Sequence, residues 1–248
     1  MTGLHENLNA AFDWWRAAGV DYSYSDAPQN WITPPAPTPE ASPTTAPAPK
    51  LAAKPQAVFG GDPGHWATDH AGFVAWWLSE PSLDNGQVNR RVAPRGPIGA
   101  KLMVLVPEPE LVDSDVLLSG PQGKWLKMLL FAWGIGEDET YVASALPRHT
   151  PMADWDGLAA AGLGTLVGHH IGLAAPQRLL VLGNCILPLA AHDPAKKAFD
   201  SGVFEHKGLH IPRMAAPEPL SMRPPARERL WLEWLERSQN EPEQNEPK

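Results

Sequence analysis

Cysteine is nearly absent from this chain. One residue, Cys185, among 248 excludes an internal disulfide framework, a Cys-ligated zinc site and a four-Cys iron–sulfur cluster built by this chain alone. Cys185 follows an apolar run in LLVLGNCILPLA and reads as a small buried hydrophobe rather than a nucleophile. Long apolar stretches are also lacking. No run of eighteen apolar residues and no N-terminal basic-plus-apolar signal occurs, so the expectation is a cytoplasmic protein with no membrane partner. Positive charge is in deficit: 20 Lys and Arg face 28 Asp and Glu, a net charge of −8. The molecule as a whole is therefore no general polyanion binder, and DNA affinity is expected to be weak and confined to a local groove.

What the chain has in excess is proline, 28 residues, and tryptophan, 11. The prolines cluster. Residues 34–57 read as a Pro/Ala-rich linker of extended, polyproline-II-like character. They separate an N-terminal aromatic segment, residues 1–33, from an α/β domain, residues 58–238; a polar tail, 239–248, follows. In the N-terminal segment, HENLNAAFDWWRAA at 5–18 carries Leu8, Ala11, Phe12 and Trp15 on one helical face, with Trp14 beside it, and Gly19 ends the helix. A short isolated helix is marginal in water. Trp14, Trp15 and the more distant Trp31 are thus expected either to meet a protein partner or to pack back on the domain.

A second Trp-rich helix is expected over 62–79, with Trp66, Phe73, Trp76 and Trp77. Beyond it the chain alternates. Strands are expected at 102–106, 140–145, 178–183 and 203–211. Helices are expected at 123–133, 156–174, from Asn184, and at 225–238. Strands separated by helices imply βαβ units, hence a mainly parallel four-stranded sheet in a three-layer αβα fold. In such sheets ligands lie outside the carboxyl ends of the strands. The acidic turn Pro107-Glu108-Pro109-Glu110 after the first strand, and the loop Ser119-Gly120-Pro121-Gln122-Gly123 before the next helix, are therefore the first places to seek a site. The N–H groups of Ser119, Gly120 and Gly123 could seat a phosphate.

The order of elements, with Gly120-Pro121-Gln122-Gly123-Lys124-Trp125-Leu126, Tyr141-Val142-Ala143-Ser144-Ala145, Gln177 through Gly183, and Ala216-Pro217-Glu218-Pro219-Leu220 followed by Arg223-Pro224, resembles the uracil-DNA glycosylase superfamily. The bacterial iron–sulfur type is the closest variety, and the likeness covers roughly residues 92–235. The resemblance implies that fold and a place in DNA repair or replication. Excising a base requires a donor for the developing oxyanion, a carboxylate or polarised water on the sugar side, an aromatic lid and an amide to read the base. Carried over residue by residue, the pocket positions are Val106, Pro107, Glu108, Pro109, Leu118, Ser144 and Ala216. There the family's carboxylate has become Pro107, the lid Leu118, the amide Ser144 and the histidine Ala216, while the cluster cysteines are missing. No cofactor is expected.

If activity survives, Glu108 and Glu218 are the acids to test, with His149, His206 or His210 as donor. The Asp13-Trp14…Gly19 leader and the Pro225–Trp231 helix also resemble the two ends of the psi subunits of the bacterial replicative clamp-loader assembly. That resemblance implies a catalytically degenerate accessory subunit that binds protein or DNA. His169-His170 has no partner at i+4, and His65, Asp69 and His70, which could form a metal face at i, i+4 and i+5, read better as a capped, solvated helix, so no metal is expected.

Overall fold

The computed structural model describes residues 3–19, 58–84, 86–190 and 202–239. The 34–57 linker, Trp31, and the tail beyond Gln239 lie outside them. The chain divides into two units, Met1–Ala52 and Ala53–Lys248. In the first, α1 spans Gly3–Ala17, close to the expected 5–18. Phe12, Trp14 and Trp15 on it are exposed, and Arg16 pairs with Asp13 at 2.9 Å.

The second unit is a three-layer α/β fold around a mixed, mostly parallel sheet. Its strands are β1 (Leu102–Val106), β2 (Thr140–Ser144), β3 (Leu179–Leu182), β4 (Gly202–His206) and β5 (Leu209–Ala216), in the order β2-β1-β3-β5-β4. The pairs β1–β2, β1–β3 and β3–β5 are parallel, and β4 runs antiparallel to β5. The expected sheet had four strands. The fifth arises because 203–211 is not one strand but the start of a hairpin, which turns at Lys207 (φ 47°) and Gly208 (φ 86°).

Alternation along the strands builds both cores, since successive side chains point to opposite faces. Met103, Leu105, Leu179, Val181 and Ala215 face α2 (His70–Ser79), α4 (Trp155–Ala160) and α5 (Leu163–Ala174). Leu102, Val104, Val106, Leu180, Leu182 and Met214 face α3 (Pro121–Trp133) and α6 (Pro224–Gln239). All five residues of β1 are fully covered, as befits the centre of a parallel sheet. On α3, Leu126, Leu130 and Trp133 give the buried stripe. Trp234 of α6 stacks on Trp133 with ring centroids 4.5 Å apart, and the Arg178 guanidinium lies 4.9 Å from the Trp234 ring.

Two expected helices are broken. The 62–79 stretch is a short 3-10 turn, Pro63–His65, followed by α2. Asp69 caps α2 by accepting the Gly72 N–H at 2.8 Å, so the helix starts there. The 156–174 stretch splits into α4 and α5 at Gly162, whose φ of 97° no helix accommodates. Among the described residues no helix is long and apolar enough to cross a membrane.

Candidate functional site

The parallel strands deliver their carboxyl ends to one rim, and each sends a polar group there or just beyond. Glu108 follows β1, His149 follows β2, Cys185 follows β3 and Glu218 follows β5. Gly183 lets the ends of β1 and β5 close over β3: a Cβ at this position would lie 2.7 Å from Pro107 Cγ and 3.6 Å from Glu218 Cγ.

Glu108 and His149 meet on this rim. His149 Nδ1 stands 3.3 Å from Glu108 Oε1 and 3.2 Å from the Pro109 carbonyl. Both neighbours are acceptors, so in the neutral ring the proton belongs on Nδ1 and Nε2 is left as acceptor. The second Glu108 oxygen accepts the Thr150 N–H. Both side chains are partly exposed, 30% for His149 and 24% for Glu108, so a ligand at the rim can reach them. Nearby, burial raises the Cys185 thiol to about 11, and the negative charges of Glu218 and Glu108 add to the rise. At neutral pH this sulfur is a protonated thiol, a poor nucleophile.

Behind the rim, the positions assigned by resemblance are closed. Val106, Leu118, Ser144 and Ala216 are buried, as are Pro107 and Pro109. Ser144 donates its hydroxyl to the Leu146 carbonyl at 2.7 Å, which leaves the seryl proton unavailable to a base edge. Leu118 sits at φ 56°, and its N–H donates to Asp113 Oδ2 at 2.9 Å.

The amides of the Ser119–Gly123 loop are occupied by the protein itself. The Glu110 carboxylate accepts the N–H groups of Gly120 and Gln122 at 2.9 Å and of Gly123 at 3.4 Å. The Ser119 N–H and hydroxyl both donate to Asp113 Oδ1, at 2.8 and 2.7 Å. A carboxylate at a helix N-terminus satisfies the dipole and the free donors as a phosphate would. A phosphate at Ser119, Gly120 and Gly123 would first have to expel Glu110. Sequence alone places Glu110 in the acidic turn 107–110 and assigns it no partner, and it gives Asp113 no role. The available signal was a Gly-Pro helix start with carboxylates a few residues upstream.

The other two histidines weighed as donors stand elsewhere. His206 and His210 flank the β4–β5 turn, at the opposite end of β5 from Glu218. Six residues of strand separate His210 from Ala216, about 20 Å, so neither shares the rim. His210 pairs with Glu205 at 3.5 Å. His70, Tyr141 and His170 form an internal chain with both hydrogen bonds at 2.8 Å. His169 bonds the Ala67 carbonyl at 2.8 Å. Among the described residues no group of three or more His, Cys, Asp or Glu is placed to hold a metal ion. A lone cysteine cannot supply the thiolates of an iron–sulfur cluster.

No family model matches this chain, and no curated protein matches its sequence.

Proposed function

We propose that this chain is a uracil-DNA glycosylase-like protein of DNA repair or replication in which base excision has been lost, acting as a psi-like accessory subunit that binds protein or DNA. The observation that carries the loss is the filled pocket. Val106, Leu118 and Ala216 offer buried apolar surface, Ser144 spends its hydroxyl internally, and Glu110 occupies the loop amides. A base has no reading amide, no lid and no oxyanion donor at those positions. Removing one oxyanion donor typically costs about 10²–10³ in rate. The exposed Phe12, Trp14 and Trp15 on α1 support a binding role, because aromatic anchors dominate interfaces.

A second reading, a divergent active glycosylase, draws on the Glu108–His149 pair. A histidine oriented by a carboxylate is a general base or acid in form. The two readings separate in one assay on the full chain with uracil-containing single- and double-stranded DNA. The accessory reading expects no abasic sites. Abasic sites that vanish in Glu108→Ala would establish the enzyme instead. In parallel, removing residues 1–33 is expected to abolish retention of clamp-loader components while leaving the melting of the domain unchanged. Retention by the truncated chain would remove the N-terminal segment from the binding role.

A further inference from the structure

A cavity of about 380 Å³ lies beside the β2–α4 connection. Pockets for small molecules begin near this size. One wall is apolar, built by Phe59, Leu83, Leu146 and Leu158. The other carries Asp84, Arg148 and Gln87, and the question is what those three groups leave unsatisfied.

Asp84 is fixed from behind. Arg91, its side chain 1% exposed, holds Asp84 Oδ1 at 2.5 Å. Three further Arg91 N–H groups go to the carbonyls of Gln87, Trp77 and Glu80, so four of its five donors are engaged. Glu80, the other carboxylate of this turn, accepts the N–H and hydroxyl of Ser82. The Thr150 hydroxyl, also on the cavity, donates to the Arg148 carbonyl at 3.2 Å.

Arg148 differs. Its Nε is 3.0 Å from Asp84 Oδ2, with the side chain 26% exposed, and this carboxylate is already shared with Arg91. The Nε is buried against Asp84 Oδ2, so the groups of this partly exposed side chain left to meet a ligand are the terminal nitrogens of the guanidinium. Arg148 and Gln87 thus line the same cavity as the apolar Phe59, Leu83, Leu146 and Leu158. A planar guanidinium fork recognises a carboxylate bidentately, and burying such a group without a full partner is costly.

We propose that this cavity binds a small organic acid, with its carboxylate on Arg148 and Gln87 and its hydrocarbon body against Phe59, Leu83, Leu146 and Leu158. The site uses neither Glu108 nor His149 as a ligand group, although its Thr150 donates its N–H to Glu108.

The test is a titration of the full chain with hexanoate and with its uncharged isostere hexanamide, followed by protein-observed NMR. Hexanoate is expected to saturate and to shift resonances of the Phe59, Leu146 and Leu158 walls. Hexanamide is expected to bind about tenfold more weakly, the margin of a charge-assisted over a neutral hydrogen bond. Arg148→Gln should bring the two ligands to equal affinity. Leu158→Trp, which fills the cavity and leaves the ion pairs in place, should abolish both, and it decides the matter if Arg148→Gln fails to fold. Absence of saturable hexanoate binding, equal affinity for acid and amide in the unaltered chain, or undiminished binding in Leu158→Trp would each overturn the proposal.

Discussion

Glu110 shows how one side chain decides what a loop can do. Three backbone N–H groups converge where an anion would sit, and a buried carboxylate, 8% exposed, takes them all. Asp113 then fixes the Glu110 N–H and the left-handed Leu118 from the other side, at 2.8 and 2.9 Å. Replacing Glu110 by Gln keeps the shape and one acceptor but loses the charge. The expected loss of unfolding free energy is about 1–3 kcal/mol, measured by urea denaturation. Glu110→Ala empties the seat. Inorganic phosphate should then raise the melting temperature of Glu110→Ala and leave that of the unaltered protein in place; an equal rise in both would mean that Glu110 does not block the amides. Gly123 is bound to the same geometry, because a Cβ there would stand 1.8 Å from the Leu118 carbonyl oxygen. Gly123→Ala is expected to cost upwards of about 1–3 kcal/mol, read from the same denaturation curves.

At the scale of elements, what was legible in the sequence was whatever periodicity encodes. The run Leu102–Val106 announced a buried strand and is β1 residue for residue. The helix expected over 123–133 is α3, with Leu126, Leu130 and Trp133 as its buried stripe. The misses share a cause: a single residue ending or reversing an element inside an apolar stretch. Gly162 divides the helix expected over 156–174, and a lone glycine inside a helical pattern carries no unambiguous boundary. The β4–β5 hairpin turns on Lys207-Gly208, both at positive φ, where Asn-Gly or Asp-Gly would have been the clear signal. The rim pair was equally hidden. His149 lies 41 residues beyond Glu108 in the chain, and only the parallel pairing of β1 with β2, Val106 against Ser144, brings them together. The turn offers its own test. Lysine in the left-handed region carries a penalty of about 1–2 kcal/mol that Asn lowers. Lys207→Asn should therefore stabilise the protein by roughly 0.5–1 kcal/mol. A lower denaturation midpoint in that variant would refute the turn geometry.

For the whole molecule, acid stability follows from the packing of α5 against β2. His170 is buried, and burial, followed by the positive charges available to His70 and His169, lowers it from 6.5 to about 3. Burial also lowers His206, with Lys207 and His169 contributing. In the folded state His170 stays neutral, whereas the unfolded chain takes up a proton below 6.5. The unfolded state thus binds more protons across this interval, and stability rises with pH there. The His170 contribution is complete above pH 6.5 and is lost progressively as pH falls from 6.5 towards 3. Well below 6.5 each further step of one pH removes on the order of 1 kcal/mol, which is appreciable against the stability of an ordinary domain. Carboxylates act lower on the scale: Glu80, held below 4.5 chiefly by the Ser82 hydroxyl and N–H, loses its contribution only as pH falls past 4.5. The interval between pH 6.5 and 4.5 therefore isolates the histidines. His170→Phe removes the titrating ring and keeps an aromatic against Phe73, whose ring centroid lies 4.5 Å away, while the Tyr141 hydroxyl retains His70. The variant should be less stable than the unaltered protein at pH 8 and should lose distinctly less stability between pH 6.5 and 4.5. Parallel pH profiles for the two proteins over that interval would show that His170 does not set the acid limit of the fold.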